Sequence, residues 1–199
     1  MKFLPALFIL FLSFSVKAED TNVFENVTVG FKVTKPNDWQ FVTVKDNFDN
    51  LKKVKMDNQE FKQMMLKYST APLVAMMKHP EPFEDLNPSF KVNIKPIGQL
   101  KDYTPEQIVA LIIPQFEKVF TNFVVVHQPE RIKIGGLDAG YMKANYTLST
   151  QDGKNFDTTS ELWIVPRGDY FFTIGAGTRK DEKTGTREEI SKIIESIQF

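Results

Sequence analysis

The sequence predicts an α+β fold in which helices cover both faces of a mostly antiparallel sheet. Strand-like segments in the C-terminal half are joined by short Gly-containing turns, which are typical of hairpins. Helix-like segments with one apolar side follow residues that cap helix N-termini. Apolar side chains occur on both faces of the strand predicted at 155–165, where Trp163 alternates with Leu162 and Ile164. Because both faces carry apolar groups, both need a cover of helices.

The first 18 residues predict a secretory signal peptide. Lys2 gives a positive start, and residues 3–16 form an apolar run too short to span a bilayer as a helix. Val16-Lys17-Ala18 offers small residues at the two positions that signal peptidase reads, so we expect cleavage near Ala18/Glu19. We therefore expect a periplasmic or secreted protein with no membrane insertion after signal removal. Without any cysteine, it is not expected to be a lipoprotein.

Composition limits the classes of partner and chemistry. Removing Lys2 and Lys17 with the signal leaves 23 basic against 25 acidic residues, so the charge gives no case for binding nucleic acid or an anionic membrane. The absence of cysteine excludes Cys nucleophiles, thiolate metal sites and disulfides. We expect residues 19–26 to be a polar leader and residues 27–199 a single domain, most simply a monomer.

In the N-terminal third, residues 27–33 and 39–44 predict two strands separated by the turn Lys35-Pro36-Asn37-Asp38. The sequence Asp57-Asn58-Gln59-Glu60 has the form of a capping box, and apolar residues then recur at helical spacing. This predicts a helix at about 58–68. Apolar residues at Phe48, Leu51 and Val54 could extend that helix backwards.

The central segments predict two strands, an irregular loop and a helix. Residues 73–77 form a short apolar run, and residues 90–94 alternate between apolar and polar, so both are predicted strands. Between them, residues 79–88 contain three prolines and can form neither a helix nor a central strand. Thr104-Pro105-Glu106-Gln107 is a strong helix start and predicts a helix at 105–121.

The C-terminal segments predict an antiparallel meander closed by a helix. Four strands are predicted, at 124–134, 137–148, 155–165 and 170–177. The turns that join them in order are Gly135-Gly136, Asp152-Gly153 and Pro166-Arg167-Gly168. Thr186-Arg187-Glu188-Glu189 forms a further capping box. The isoleucines that follow it recur at helical spacing, which predicts an amphipathic helix at 187–197.

The sequence contains no nucleophile elbow, zinc-protease motif, phosphate-binding Gly loop or EF-hand. We therefore predict no catalytic residue and no cofactor. His79 lies near Glu81, Glu84 and Asp85 in the sequence, a set that permits a weak divalent-ion site, but a solvated polar loop is the favoured interpretation. The second histidine, His127, follows three valines and is interpreted as a side chain at the end of a strand.

The Pro-rich loop, residues 79–88, is the predicted partner-binding surface, centred on Pro82, Phe83 and Glu84. A long irregular loop inside a compact domain is often functional. We therefore expect Phe83→Ala to weaken partner capture and to leave the melting temperature nearly unchanged.

The order of elements resembles the PsbP-like α/β/α sandwich across about residues 24–199. The resemblance depends on Pro36-x-x-Trp39, the helix beginning Thr104-Pro105-Glu106-Gln107, the meander bounded by Gly136, and the ending Ser196-Ile197-Gln198-Phe199. That fold is shared by a photosystem II accessory protein, a eukaryotic Ran-binding import factor and bacterial DcrB-type envelope proteins. The resemblance implies a sheet of about six strands with helices on both sides, and a role in binding or assembling another protein. No motif matches residue by residue, so it assigns no site.

Three functional hypotheses follow. The favoured one is an exported, non-catalytic accessory or binding protein of the bacterial envelope, acting on an unknown envelope or secreted protein. The second is a periplasmic small-molecule or metal-binding protein. The third is a hydrolase that uses dispersed Asp and Glu side chains. A closed apolar pocket would favour the second hypothesis and paired carboxylates in a cleft the third.

Overall fold

A seven-stranded antiparallel sheet forms the centre of the structure, a computed structural model that describes residues 22–55 and 72–199. Its strands are β3 (Gln40–Phe41), β4 (Val74–Met77), β5 (Ser89–Pro96), β6 (Thr121–Ile134), β7 (Leu137–Ser149), β8 (Asn155–Arg167) and β9 (Tyr170–Arg179). Their order across the sheet is β3-β4-β5-β9-β8-β7-β6. The predicted four-strand meander is therefore confirmed. The predicted sandwich architecture, a mostly antiparallel sheet with helices packed on it, is also confirmed.

Glycine turns connect the meander, as the sequence predicts. Gly136, between β6 and β7, has a φ of +86°, and Gly153, between β7 and β8, has a φ of +85°. These values lie in the region that glycine adopts without the steric cost a Cβ would add. The long β7–β8 ladder runs in continuous register from Gly140↔Ile164 to Ser149↔Asn155.

Helix α2 (Pro105–Val119), which comes after helix α1 (Val44–Lys53) in the chain, covers one face of the sheet. Its capping box at Thr104 and Gln107 forms as predicted, with the Thr104 N–H donating to Gln107 Oε1 at 2.9 Å. The helix lies very close to β7, because a Cβ added to Gly140 would come within 2.3 Å of the Pro105 carbonyl oxygen. A smaller apolar cluster fills this interface and includes Ile108, Val109, Met142, Leu162 and Ile164.

Helix α3 (Arg187–Glu195) and a two-stranded hairpin cover the opposite face. The hairpin pairs β1 (Val23–Asn26) with β2 (Phe31–Thr34), and Lys32 bridges to Gln198 beyond α3. The larger core lies between these elements and the sheet. Among its members are Phe31, Val33, Trp39, Phe90, Phe172, Ile174, Ile190 and Ile193. Trp163 and Phe171, on opposite faces of the sheet, are both buried, as the prediction of two covered faces requires.

The first segments differ from the sequence prediction. Residues 23–26, expected to be a loose leader, form β1, and the strand expected at 27–33 is confined to β2. The cause is a turn at 27–30, where the Asn26 side chain accepts hydrogen bonds from the Thr28 and Val29 N–H groups at 3.1 and 3.3 Å. Side-chain acceptors of this kind stabilise turns in place of a continuing strand.

The strand expected at 39–44 is also shorter, because helix α1 (Val44–Lys53) begins inside it. Thr43 caps this helix: its hydroxyl accepts from the Asp46 N–H at 3.1 Å and donates to the Asp46 carboxylate at 2.6 Å. Asn50 of α1 donates to Met77 Sδ at 3.4 Å, which places α1 on the same face of the sheet as α2. The helix predicted at 58–68 lies outside the described residues.

Candidate functional site

A cleft of about 390 Å³ lies where the end of α1, the Pro-rich loop and the β7–β8 hairpin meet. Six apolar side chains line it: Val54, Met77, Phe83, Leu86, Leu148 and Phe156. Charged side chains surround the opening: Lys53, Lys154, Glu81, Glu84, Asp85 and Asp152. Its size is in the range of about 300 to 1,000 Å³ that is common for ligand sites in proteins.

Backbone hydrogen bonds attach the end of α1 to the β7–β8 hairpin. The Lys55 N–H donates to the Ser149 carbonyl at 2.8 Å, and the Gln151 N–H donates to the Lys53 carbonyl at 2.9 Å. Val54 lies between them and pairs with Thr150 as an isolated bridge. These bonds fix the distance between two walls of the cleft.

Asn87 holds the start and end of the Pro-rich loop together. Its side-chain oxygen, Oδ1, accepts from the His79 backbone N–H at 3.0 Å. Its side-chain nitrogen, Nδ2, donates to the His79 backbone carbonyl at 2.9 Å and to Glu81 Oε1 at 3.1 Å. Glu81 also accepts from Lys53 at 3.0 Å and from the Phe83 N–H at 3.2 Å. Burial alone would raise the pKa of Glu81, but these hydrogen bonds outweigh it and lower the pKa.

The rings of His79 and Phe83 stack, with centroids 4.3 Å apart and planes 15° from parallel. His79 Nε2 lies 2.7 Å from the Thr184 carbonyl oxygen, so that nitrogen carries the proton and donates. Phe83 is therefore half-buried and part of the loop's own packing. This changes the expectation for Phe83→Ala, because removing the ring also removes a stabilising contact.

Ion pairs and polar contacts hold the second half of the loop. Asp85 pairs with Arg179 at 2.7 Å, and Arg179 also pairs with Asp181 at 2.8 Å. The Thr184 hydroxyl donates to the Leu86 carbonyl at 2.7 Å, and Lys154 Nζ lies 3.3 Å from the Glu84 carbonyl. The loop is thus attached to α1, the β7–β8 turn, β9 and the segment before α3. These contacts within the chain fix the position of the loop as one wall of the cleft.

Only some of the site residues predicted from the sequence lie together in the cleft. Pro82 and Glu84 are exposed, and Phe83, Glu84 and Asp85 line the cleft. His79 lines a smaller neighbouring cavity of about 220 Å³. Within residues 22–55 and 72–199, no group of three His, Asp or Glu side chains is placed to hold a metal ion.

Three of the four metal candidates make other contacts in this structure. Glu81 and Asp85 pair with Lys53 and Arg179, and the His79 ring bonds to a backbone carbonyl. The metal-site hypothesis therefore gains no ligand set from the geometry. His127, the other histidine, lies 2.8 Å from Glu130 on β6.

Sequence reasoning missed half of the cleft. Lys53 and Val54 belong to α1, and Leu148, Lys154 and Phe156 belong to the β7–β8 hairpin, far from the Pro-rich loop in sequence. The turn at Asp152-Gly153 was predicted, but nothing in a turn motif shows which loop it faces. The tertiary fold alone brings these segments together.

In the described portion of the chain, no helix has both the length and the apolar character needed to cross a bilayer. A comparison with models of known protein families finds no match, and a comparison with curated protein sequences finds none either.

Similar structures are found among solved proteins. One is LpqN of Mycobacterium tuberculosis, involved in cell envelope biogenesis, with a TM-score of 0.52 at 12% identity over 92% of this chain and 86% of that chain. Another is the cyanobacterial PsbP (CyanoP) of Synechocystis, with a TM-score of 0.50 at 13% identity over 88% and 90%. The Ran-binding protein Mog1p of Saccharomyces cerevisiae has a TM-score of 0.49 at 9% identity over 88% and 93%.

At such low identity a structural likeness shows the fold and assigns no activity. The element order, the antiparallel sheet and the helical covers agree with the resemblance drawn from the sequence. The chain therefore has the PsbP-like fold.

Proposed function

We propose that this chain is an exported, non-catalytic binding or accessory protein that holds its partner through the cleft. The observation that carries this proposal is an apolar cleft whose walls are fixed by ten hydrogen bonds and ion pairs within the chain itself. Preformed walls spare a partner the entropic cost of ordering the loop, which favours binding.

Export is supported by the signal-like first 18 residues, and the envelope role of LpqN, a protein of the same fold, is consistent with it. N-terminal sequencing of native material is expected to give a chain that begins near Glu19. An intact Met1 on cytosolic protein would contradict the proposed export.

The binding surface is tested by photo-cross-linking in the native envelope. A benzophenone amino acid replaces Gln151, an exposed residue that lines the cleft, and in a control it replaces Glu117, an exposed residue of α2. We expect one partner to be cross-linked from position 151 and not from 117. The purified partner must then bind the wild-type chain and lose affinity for Gln151→Trp, whose indole would occupy the mouth of the cleft. Equal capture from both positions, or unchanged affinity, would contradict the proposal.

A small apolar molecule is the second candidate occupant, because a cleft of about 390 Å³ can also enclose one. Native mass spectrometry of protein purified from its own envelope distinguishes the two cases. A stoichiometric small molecule that Gln151→Trp excludes would favour the ligand-binding function over the protein partner.

A further inference from the structure

We infer that the cleft accepts an apolar side chain of a partner segment that carries a lysine or arginine beside it, with the cation paired to Glu84. This inference rests on the proposed function and names the chemistry of the partner. Two properties of the cleft support it: the interior is apolar and unfilled by described side chains, and the Glu84 carboxylate at the mouth has no ion-pair partner among the described residues.

The interior of the cleft is suited to an apolar side chain. The six apolar residues that line it lie on four separate segments, and no described side chain fills the cavity between them. Among the lining residues, Met77 has its sulfur 3.4 Å from the Asn50 amide nitrogen and 3.8 Å from the Asn87 amide nitrogen. Burying one Leu or Phe side chain here would favour binding, because it removes apolar surface from water.

The charges at the mouth are mostly neutralised within the chain. Glu81 pairs with Lys53 at 3.0 Å and Asp85 with Arg179 at 2.7 Å. Asp152 lies 3.7 Å from Lys154 and accepts from the Thr150 hydroxyl. The remaining acidic group that lines the cleft is the Glu84 carboxylate, which has no ion-pair partner among the described residues.

This remaining charge selects the sign of the partner. Glu84 is exposed and borders the apolar interior, so an incoming cation can pair with it while the neighbouring apolar side chain enters the cleft. Lys154 lies near the same mouth, 3.3 Å from the Glu84 carbonyl, and repels that cation. The two residues should therefore act in opposite directions on the same ligand.

The test uses three acetylated and amidated tetrapeptides, Lys-Leu-Phe-Lys, Glu-Leu-Phe-Glu and Lys-Ser-Ser-Lys, titrated into the signal-free chain and followed by amide chemical shifts. We expect Lys-Leu-Phe-Lys to bind about fivefold more tightly than Glu-Leu-Phe-Glu at low ionic strength, with the ratio shrinking in high salt. Lys-Ser-Ser-Lys should bind at least about tenfold more weakly, since it has no apolar side chain. Shifts are expected at Asn87 and Thr150, on opposite walls.

Variants assign the preference to Glu84. Glu84→Gln should reduce the ratio between the two apolar peptides to about one, and Lys154→Gln should increase it. Glu117→Gln, on the exposed side of α2, is the matched control and should leave the ratio unchanged. No binding of Lys-Leu-Phe-Lys, equal binding of both apolar peptides, or a ratio unaffected by Glu84→Gln would overturn the inference.

The outcomes separate this inference from the proposed function. If the cross-linked partner still depends on the cleft while the peptides show no charge preference, the partner chemistry is wrong and the binding surface stands. If position 151 captures no partner, the binding surface itself is wrong.

Discussion

Beneath α3, large side chains fill the space between helix and sheet. Phe31, Phe172 and Ile193 are each exposed by 1% or less. Beside the Pro-rich loop, apolar side chains instead surround about 390 Å³ that no described side chain occupies. A filled core is stabilised by the burial of apolar surface and by dispersion contacts between side chains. An unfilled apolar cleft buries less surface and makes fewer such contacts. The difference indicates that α3 and its core supply stability. In the function we propose, the Pro-rich loop keeps a surface open for another molecule.

The largest expected effect lies in the filled core. Ile193→Asp places an unpaired charge in a site with 0% exposure, so it should lower the free energy of unfolding by more than about 4 kcal/mol or prevent folding. Chemical denaturation measures this change. Leu111→Asp, at an α2 residue that is 50% exposed, is the control and should cost less than about 1 kcal/mol. Similar losses for both variants would contradict the burial of Ile193.

The next effect concerns the contact between α2 and β7. Gly140→Ala adds a Cβ within 2.3 Å of the Pro105 carbonyl oxygen, a backbone atom that cannot rotate away. We expect a loss of about 1 to 3 kcal/mol in unfolding free energy. Gly175→Ala, where a Cβ meets no described atom within 4 Å, is the control. A loss at Gly140 no larger than that at Gly175 would show that α2 does not press on the sheet at this point.

A further prediction concerns the Lys91 amine, whose charge is desolvated although Lys91 is not part of the larger core. Burial lowers the pKa of Lys91 from its ordinary value of 10.5 to about 8. Between pH 8 and 10.5 the unfolded chain thus binds more protons than the folded one, so stability rises with pH through this window. Below pH 8 the folded state carries the full desolvation cost, and Lys91→Met should therefore stabilise the protein by up to about 3 kcal/mol at pH 7.

Thermal unfolding of Lys91→Met and the wild type across pH 7 to 10.5 checks this prediction. The advantage of the variant should diminish as pH approaches 10.5. A difference that stays constant over the whole range would contradict the burial of the charged amine.

A smaller stability effect is expected where the loop and the cleft meet. Phe83→Ala removes the ring that stacks on His79, so we expect a loss of about 1 kcal/mol in unfolding free energy and weaker partner binding. Phe83→Leu keeps apolar volume in the cleft without the stacking and serves as the comparison. If Phe83→Ala changes affinity but leaves the melting temperature unchanged, the ring is a contact residue only and its packing role is wrong.

The sequence predicted the parts of the fold whose signals are local. The hairpins at Gly135-Gly136 and Asp152-Gly153 and the capping boxes at Thr104 and Thr186 each occupy a few consecutive residues, and the structure forms all of them. Two local signals were overlooked: the Asn26 side chain that closes the β1–β2 turn, and Thr43, which caps α1.

The cleft was less predictable for a physical reason. Prolines identify the irregular loop, so Phe83 and Glu84 could be proposed from sequence. Leu148 and Phe156 follow the ordinary alternation of a strand, and their place in the cleft depends on how the β7–β8 hairpin meets α1. The pairing of Asp85 with Arg179, 94 residues away, likewise has no signal in either local sequence.

The affinity of Gln151→Trp for the cross-linked partner, measured together with its free energy of unfolding, tests the central claim most directly. Gln151 is exposed, and its backbone N–H bond to the Lys53 carbonyl survives the substitution. We predict a loss of at least about tenfold in affinity with stability changed by less than about 0.5 kcal/mol. Ile193→Val, which removes one methylene from the core, should show the reverse, losing about 1 kcal/mol of stability with affinity unchanged. Full affinity in Gln151→Trp, or affinity that falls only in proportion to stability in both variants, would contradict the division between a stabilising core and a binding cleft.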